Sequence, residues 1–175
     1  MEDGHRISIY LTEEQISMRI AEIGAELTAR FAGETVCLVC ILKGAVFFAT
    51  ELAKRIALPM TLDFMQVSSY GAGTSSSGVI NIKKDLEYAI EGKNVIIAED
   101  IIDSGHTLSL LVPLLKERNP KSVTVCSLLD KPDRREVMDI TADYTGFVIP
   151  DKFVVGFGLD YDQRYRNLPY IGILE

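Results

Sequence analysis

Hydrophobic positions in this chain switch between helical spacing and unbroken apolar runs. In LTEEQISMRIAEIGAELTARF, apolar Ile16, Ile20, Ile23 and Leu27 recur at helical spacing. Thr12 followed three residues later by Gln15 is a capping-box signature, so an amphipathic helix starts there. Apolar, β-branched runs predict strands over 36–42, 61–67, 79–82, 95–98 and 122–130. Helical patterns over 45–56 and 107–118 fall between them, and Pro120 closes the second. Shorter strands are expected over 144–148, 153–155 and 170–174.

Strands alternating with helices predict an α/β fold around a mostly parallel sheet. With no repeat and no linker, one domain over 1–175 is expected. The stretch SSYGAGTSSSG, residues 68–78, is low in complexity and rich in Gly and Ser, which supply flexibility and little burial. In open α/β sheets ligands bind beyond the carboxyl ends of the strands. The segments to weigh are therefore Lys43-Gly44, 68–78, 99–107 and Asp130-Lys131.

Composition narrows the picture. The 175 residues are 47% hydrophobic, enough for a core of ordinary size. No apolar stretch is long enough to span a bilayer and no signal-peptide pattern opens the chain, so a soluble cytoplasmic protein is expected. Lys and Arg number 18 against 25 Asp and Glu, a net charge of -7 that disfavours bulk nucleic-acid binding. It does not disfavour small anions, which respond to the local field. Cys37 and Cys40 spell C-x-x-C, but residues three apart on a strand point to opposite faces. They are expected to be buried structural thiols, as is Cys126, and three cysteines fit a reducing compartment.

The chemistry concentrates in EDIIDSGHT, residues 99–107. Read as strand, turn and helix start, it aims backbone N–H groups and the positive end of a helix at one point. Ser104 and Thr107 add hydroxyls, and Gly105 permits close backbone approach. This is a phosphate cradle, although its spacing is neither G-x-x-x-x-G-K-[ST] nor G-x-G-x-x-G. Carboxylates cannot hold a phosphate. Glu99 and Asp100 suit the hydroxyls of a ribose or a hard cation such as Mg²⁺, and Asp103 could exchange a proton. A phosphorylated ribose fits that combination. The plainer reading is a charged turn with Asp103 or Ser104 as helix N-cap.

The stretch VIIAEDIIDSGHTL resembles the phosphoribosyl-pyrophosphate motif of type I phosphoribosyltransferases. ILKGAVFF, DFMQVSSYGAGTSSSG, LLDKPDRRE and IPDKFVVGFGLDYDQRYRNLPYIG, in that order, extend the resemblance to the bacterial hypoxanthine phosphoribosyltransferases. The resemblance implies the type I phosphoribosyltransferase fold, with a small hood from the N-terminal segment and residues 150–175. It implies transfer of a 5-phosphoribosyl group from phosphoribosyl pyrophosphate to hypoxanthine or guanine, in a homodimer or homotetramer using Mg²⁺.

Site roles follow from the same resemblance. Asp103 would be the acid/base residue facing N7 of the purine, and Asp103, Ser104, Gly105, His106 and Thr107 would wrap the 5′-phosphate. Glu99 and Asp100 would engage ribose and metal. Lys43, Gly44 and Arg166 would contact pyrophosphate, with an unusual peptide geometry at Leu42-Lys43. Lys131 would donate to the purine O6, Phe153 would stack on the base, and Val154 would bind its edge through the backbone. Asp160 would hold a second Mg²⁺ beside the base. Ser69 and Tyr70 would lie at the working end of a mobile loop over 68–78. His106 is expected to face solvent without a catalytic role, and His5 to lie in a tail. The resemblance leaves two alternatives open: a regulatory protein of this fold that senses phosphoribosyl pyrophosphate, and a transferase preferring xanthine. An adenine enzyme would have no use for a lysine at O6.

Overall fold

Alternate residues of one apolar strand feed two different cores. In β2 (Val36–Ile41), Leu38 and Cys40 pack with one hydrophobic cluster, whereas Cys37 and Val39 pack with another. The two faces of a strand explain this, and all three cysteines are free and buried, as expected. The chain is described here from a computed structural model covering residues 6–69 and 80–175.

The elements before β2 are β1 (Ile7–Leu11) and α1 (Glu13–Arg30). The capping box is present: the Gln15 N–H donates to Thr12 Oγ1, and the Thr12 N–H donates to Gln15 Oε1. After β2 come α2 (Val46–Ala53), β3 (Met60–Ser69), β4 (Ile80–Lys84) and β5 (Asn94–Ile102). Then follow α3 (His106–Lys116), β6 (Ser122–Asp130), a 3-10 turn (Pro132–Arg134), β7 (Tyr144–Val148), β8 (Val154–Val155) and β9 (Ile171–Leu174).

Six strands form one sheet in the order β4-β3-β2-β5-β6-β7, parallel except for β4. Helices α1 and α2 bury Ile16, Ile20, Ile23, Leu27, Phe48 and Leu52 on one face. Helix α3 buries Leu108, Leu111 and Leu115 on the other. The crossover after β2 therefore runs over one face and the crossover after β5 over the opposite face. Their carboxyl ends lie side by side at this reversal, where such sheets leave a crevice for ligands. A second antiparallel sheet, β1-β9-β8, joins the two ends of the chain and supplies the expected hood.

Several boundaries differ from those expected, and two of them bear on the site. Strand β5 does not stop at Ala98. It continues through Glu99 and Asp100, because the ladder to β6 runs on to Ile102 opposite Asp130. The residue that caps α3 is Gly105, at φ 89°, and not Asp103 or Ser104. Strand β1 had no counterpart in the apolar pattern. His5, Tyr70 and the rest of the 68–78 loop beyond Ser69 lie outside the described residues.

Candidate active site

The extension of β5 carries two carboxylates into a mostly buried strand. Neighbours on a strand point to opposite faces, so the pair divides. Glu99, only 8% exposed, borders a hollow of about 80 Å³ together with Ser104, Gly105 and Thr107. Its Oε2 is buried without a hydrogen-bond partner. Asp100 turns toward the β2 side and abuts Gly44, where a Cβ would collide with its carboxylate. Only a glycine fits that contact. Burial, and then the neighbouring Asp100, push the Glu99 carboxyl well above its ordinary range. Burial pushes Asp100 up to about 6, and the nearby Asp160 adds to this while Arg166 opposes it.

The turn after β5 makes the floor of that hollow. Gly105 adopts a left-handed conformation that L side chains rarely reach, and α3 begins at the next residue. The first-turn N–H groups of α3 have no partner within the helix, and the helix dipole adds positive potential there. Beside the Glu99 and Asp103 carboxylates, the hollow presents the Ser104 and Thr107 hydroxyls and the start of α3, a donor set suited to a phosphate. His106 makes an exposed contact, with Nε2 2.7 Å from Glu136 Oε2.

A second hollow, about 320 Å³, lies beside the first and shares Ile101 and Asp103 with it. Lys131, Phe153, Val154 and Asp160 also line it. Lys131 is 7% exposed, and its backbone N–H donates to Ile102 O at 2.9 Å. Phe153 is 53% exposed, its ring edge-on to Tyr161 with centroids 5.7 Å apart. An exposed aromatic on the rim of a hollow is available to a flat ligand. Asp103 thus stands on the wall between a phosphate-type hollow and one suited to a heterocycle.

The third part of the crevice follows β2. The Leu42-Lys43 peptide bond is cis, the unusual geometry anticipated there. Lys43 Nζ donates to Gln163 Oε1 at 3.1 Å. Arg166 Nη2 meets Asp160 Oδ1 at 2.7 Å, and its Nη1 donates to Gly158 O at 2.6 Å. The Gln163 N–H donates to Asp160 Oδ2 at 2.8 Å. Lys43, Asp160, Gln163 and Arg166 are therefore one network beside Gly44 and Asp100. The C-x-x-C motif takes no part in this chemistry: burial pushes the Cys40 thiol up to about 12, so little reactive thiolate forms at neutral pH.

The described candidates from the sequence border this crevice or its network, except Ser69, whose backbone ends β3, and His106, which begins α3 but lines neither hollow and pairs outward with Glu136. The sequence reading missed Arg134 and Asp151, which line the larger hollow, and Gln163. Arg134 looked like one charge in an ordinary charged turn, and Asp151 and Gln163 carried no signal of their own. Glu99 and Asp100, both expected to engage ribose and metal, leave β5 on opposite faces.

Residues 7–162 match the family model described as "Phosphoribosyl transferase domain". The chain belongs to this family. Among phosphoribosyltransferases, it is 53% identical to the hypoxanthine-guanine phosphoribosyltransferase of Mycobacterium avium, over 96% of this chain and 85% of that protein. It is 48% identical to the hypoxanthine phosphoribosyltransferase of Salmonella typhimurium, over 96% of this chain and 95% of that protein. A crystal structure of a hypoxanthine phosphoribosyltransferase from Staphylococcus aureus superposes with a TM-score of 0.92 at 49% identity, covering 96% and 91% of the two chains. The chain is also 56% identical to the bifunctional protein TilS/HprT of Listeria innocua, of which it spans 26%. It thus spans about a quarter of the length of the bifunctional relative, and 85% and 95% of the two phosphoribosyltransferases above.

Proposed function

We propose that the protein transfers the 5-phosphoribosyl group of phosphoribosyl pyrophosphate to hypoxanthine or guanine, releasing IMP or GMP and pyrophosphate in purine salvage. The observation that carries this reading is the position of Asp103 on the wall between the two hollows. A sugar seated between a phosphate in one and a purine in the other would react beside that carboxylate.

The chemistry assigns the remaining roles. The 5′-phosphate takes the Asp103–Thr107 turn and the start of α3. The base lies against Phe153, with Lys131 donating to its O6 and the backbone at Val154 reading its edge. As the purine nitrogen bonds to C1 of the ribose, the bond to pyrophosphate breaks and the purine loses a proton, which Asp103 takes through N7. Positive charge develops on the sugar in such transfers, and the nearby Glu99 and Asp100 carboxylates favour it. Lys43 and Arg166 offer cationic donors to the pyrophosphate at the crevice beside Gly44; arginine grips phosphate in a fork and lysine acts as a point charge.

Glu99 has a buried oxygen without a partner, and Asp100 is crowded by burial and by Asp160. Oxygen ligands short of a cation suit Mg²⁺; Glu99 and Asp100 would engage the ribose and its associated Mg²⁺ from the two faces of β5 without chelating one ion together, and Asp160 would hold a second. An ion held by these carboxylates would supply neutralisation of the charge on the leaving pyrophosphate.

No helix among the described residues is long and apolar enough to cross a membrane. A cytoplasmic, small-molecule enzyme acting as a homodimer or homotetramer completes the reading. The test is a steady-state assay of the purified protein with phosphoribosyl pyrophosphate, Mg²⁺ and each of hypoxanthine, guanine and xanthine. Nucleoside monophosphate from hypoxanthine or guanine is expected. Product from xanthine alone, or from none of the three, overturns the proposal.

A further inference from the structure

We infer that Arg134 is a positioning residue for Asp103, an inference that rests on the transferase reading above. The segment after β6 folds back over the turn that carries Asp103. The Lys131 N–H donates to Ile102 O at 2.9 Å. The Glu136 and Val137 N–H groups both donate to Ser104 O at 3.0 Å. These backbone latches grip the carbonyls on either side of Asp103. Between them the 3-10 turn Pro132–Arg134 is closed by the Arg134 N–H donating to Lys131 O at 3.1 Å.

Arg134 emerges from that pinned turn into the larger hollow, and its Nε donates to Asp103 Oδ1 at 3.4 Å. Asp151 stands 4.0 Å away on the same hollow. The far end of the segment is held as well. The buried Arg135 guanidinium pairs with Asp130 and donates to Ile140 O at 2.6 Å, and Glu136 meets His106 at 2.7 Å.

The competing reading is an ordinary surface ion pair. Both side chains are about half exposed, and such pairs contribute little when two flexible chains must be ordered to form them. Here the backbone on both sides is already fixed by the latches, so less ordering remains. A purine filling the hollow also displaces water and strengthens the contact. With Oδ1 engaged by Arg134, Asp103 Oδ2 is the oxygen left to receive the purine proton. Arg134 lines the hollow proposed for the base, but its role runs through the Asp103 carboxylate and not through a contact with the reacting atoms.

The experiment is a double-mutant cycle in the full chain, with Arg134→Ala, Arg134→Lys, Asp103→Asn and Arg134→Ala/Asp103→Asn. Arg134→Ala should lower kcat about tenfold, within the range of hydrogen bonds to charged groups, and leave KM for phosphoribosyl pyrophosphate unchanged. Arg134→Lys should recover most of the loss. In the Asp103→Asn background, Arg134→Ala should do nothing further, because the group it orients is gone. A wild-type kcat in Arg134→Ala overturns the inference. So does the same further loss in the Asp103→Asn background, or an effect confined to KM for the purine. Should Arg134→Ala fail to fold, Arg134→Gln replaces it with the same expected outcomes. A wild-type protein that makes no nucleotide would instead sink the transferase reading, so the two failures are distinguishable.

Discussion

Asp100→Asn should stabilise the metal-free protein at neutral pH while damaging its activity. The carboxylate abuts Gly44, and the Ile101 N–H donates to its Oδ1 at 3.0 Å. Asparagine keeps the shape and the accepting oxygen but not the charge. Burial pushes Asp100 from an ordinary 3.8 up to about 6. At about 1.4 kcal/mol per tenfold of proton affinity, holding the charge costs the folded state up to about 3 kcal/mol. Asp100 keeps some solvent exposure, which places the expected gain nearer ~2 kcal/mol. For a chain of this size that corresponds to a rise in Tm of about 4–8 °C.

The sign sets the pH dependence. The folded state binds this proton more tightly than the unfolded state, so wild-type stability falls as pH rises from about 3.8 through about 6. The advantage of Asp100→Asn should therefore be absent near pH 4, appear between pH 4 and 6, and be complete above. Thermal unfolding in EDTA at pH 4 and pH 7.5 measures it. No gain at pH 7.5, or an equal gain at both values, would refute the burial argument. Adding phosphoribosyl pyrophosphate and Mg²⁺ should reverse the order, because the wild type gains ligand stabilisation that the variant loses.

Three further outcomes are expected. Asp103→Asn should lower kcat by about 10²–10⁴ with little change in KM for phosphoribosyl pyrophosphate; equal losses in both would remove its proton role. Lys131→Ala should raise KM for hypoxanthine about tenfold or more, since a buried donor to O6 is lost, and unchanged kinetics would remove Lys131 from the base pocket. Gly44→Ala should abolish turnover, because its Cβ would occupy the Asp100 carboxylate position; activity within twofold of wild type, by the usual scatter of surface changes, would contradict the contact.

What was legible in the sequence depended on the range over which each feature is decided. The helices and buried strands were legible because periodicity is local: Ile16, Ile20, Ile23 and Leu27 declare their face without reference to anything distant. The hood was only partly legible by pattern: strands at β8 and β9 were expected, but β1 is specified by β9 far along the chain, Ile7 opposite Leu174. Only the resemblance joined them into a hood. The end of β5 misled for a related reason. Charged residues signal a strand end, yet here the ladder to β6 holds Glu99 in a buried strand. That extension separates Glu99 from Asp100 by one strand alternation and leaves both poorly solvated. Local propensity thus fails at the residues that the proposed chemistry uses, where a folded protein tolerates conflict between levels. Arg134 is the complementary case. Its own sequence context reads as a solvated turn, and only the backbone latches to Ile102 and Ser104 carry it to Asp103. A site residue held by backbone hydrogen bonds leaves no side-chain signature, because any residue except proline can donate them.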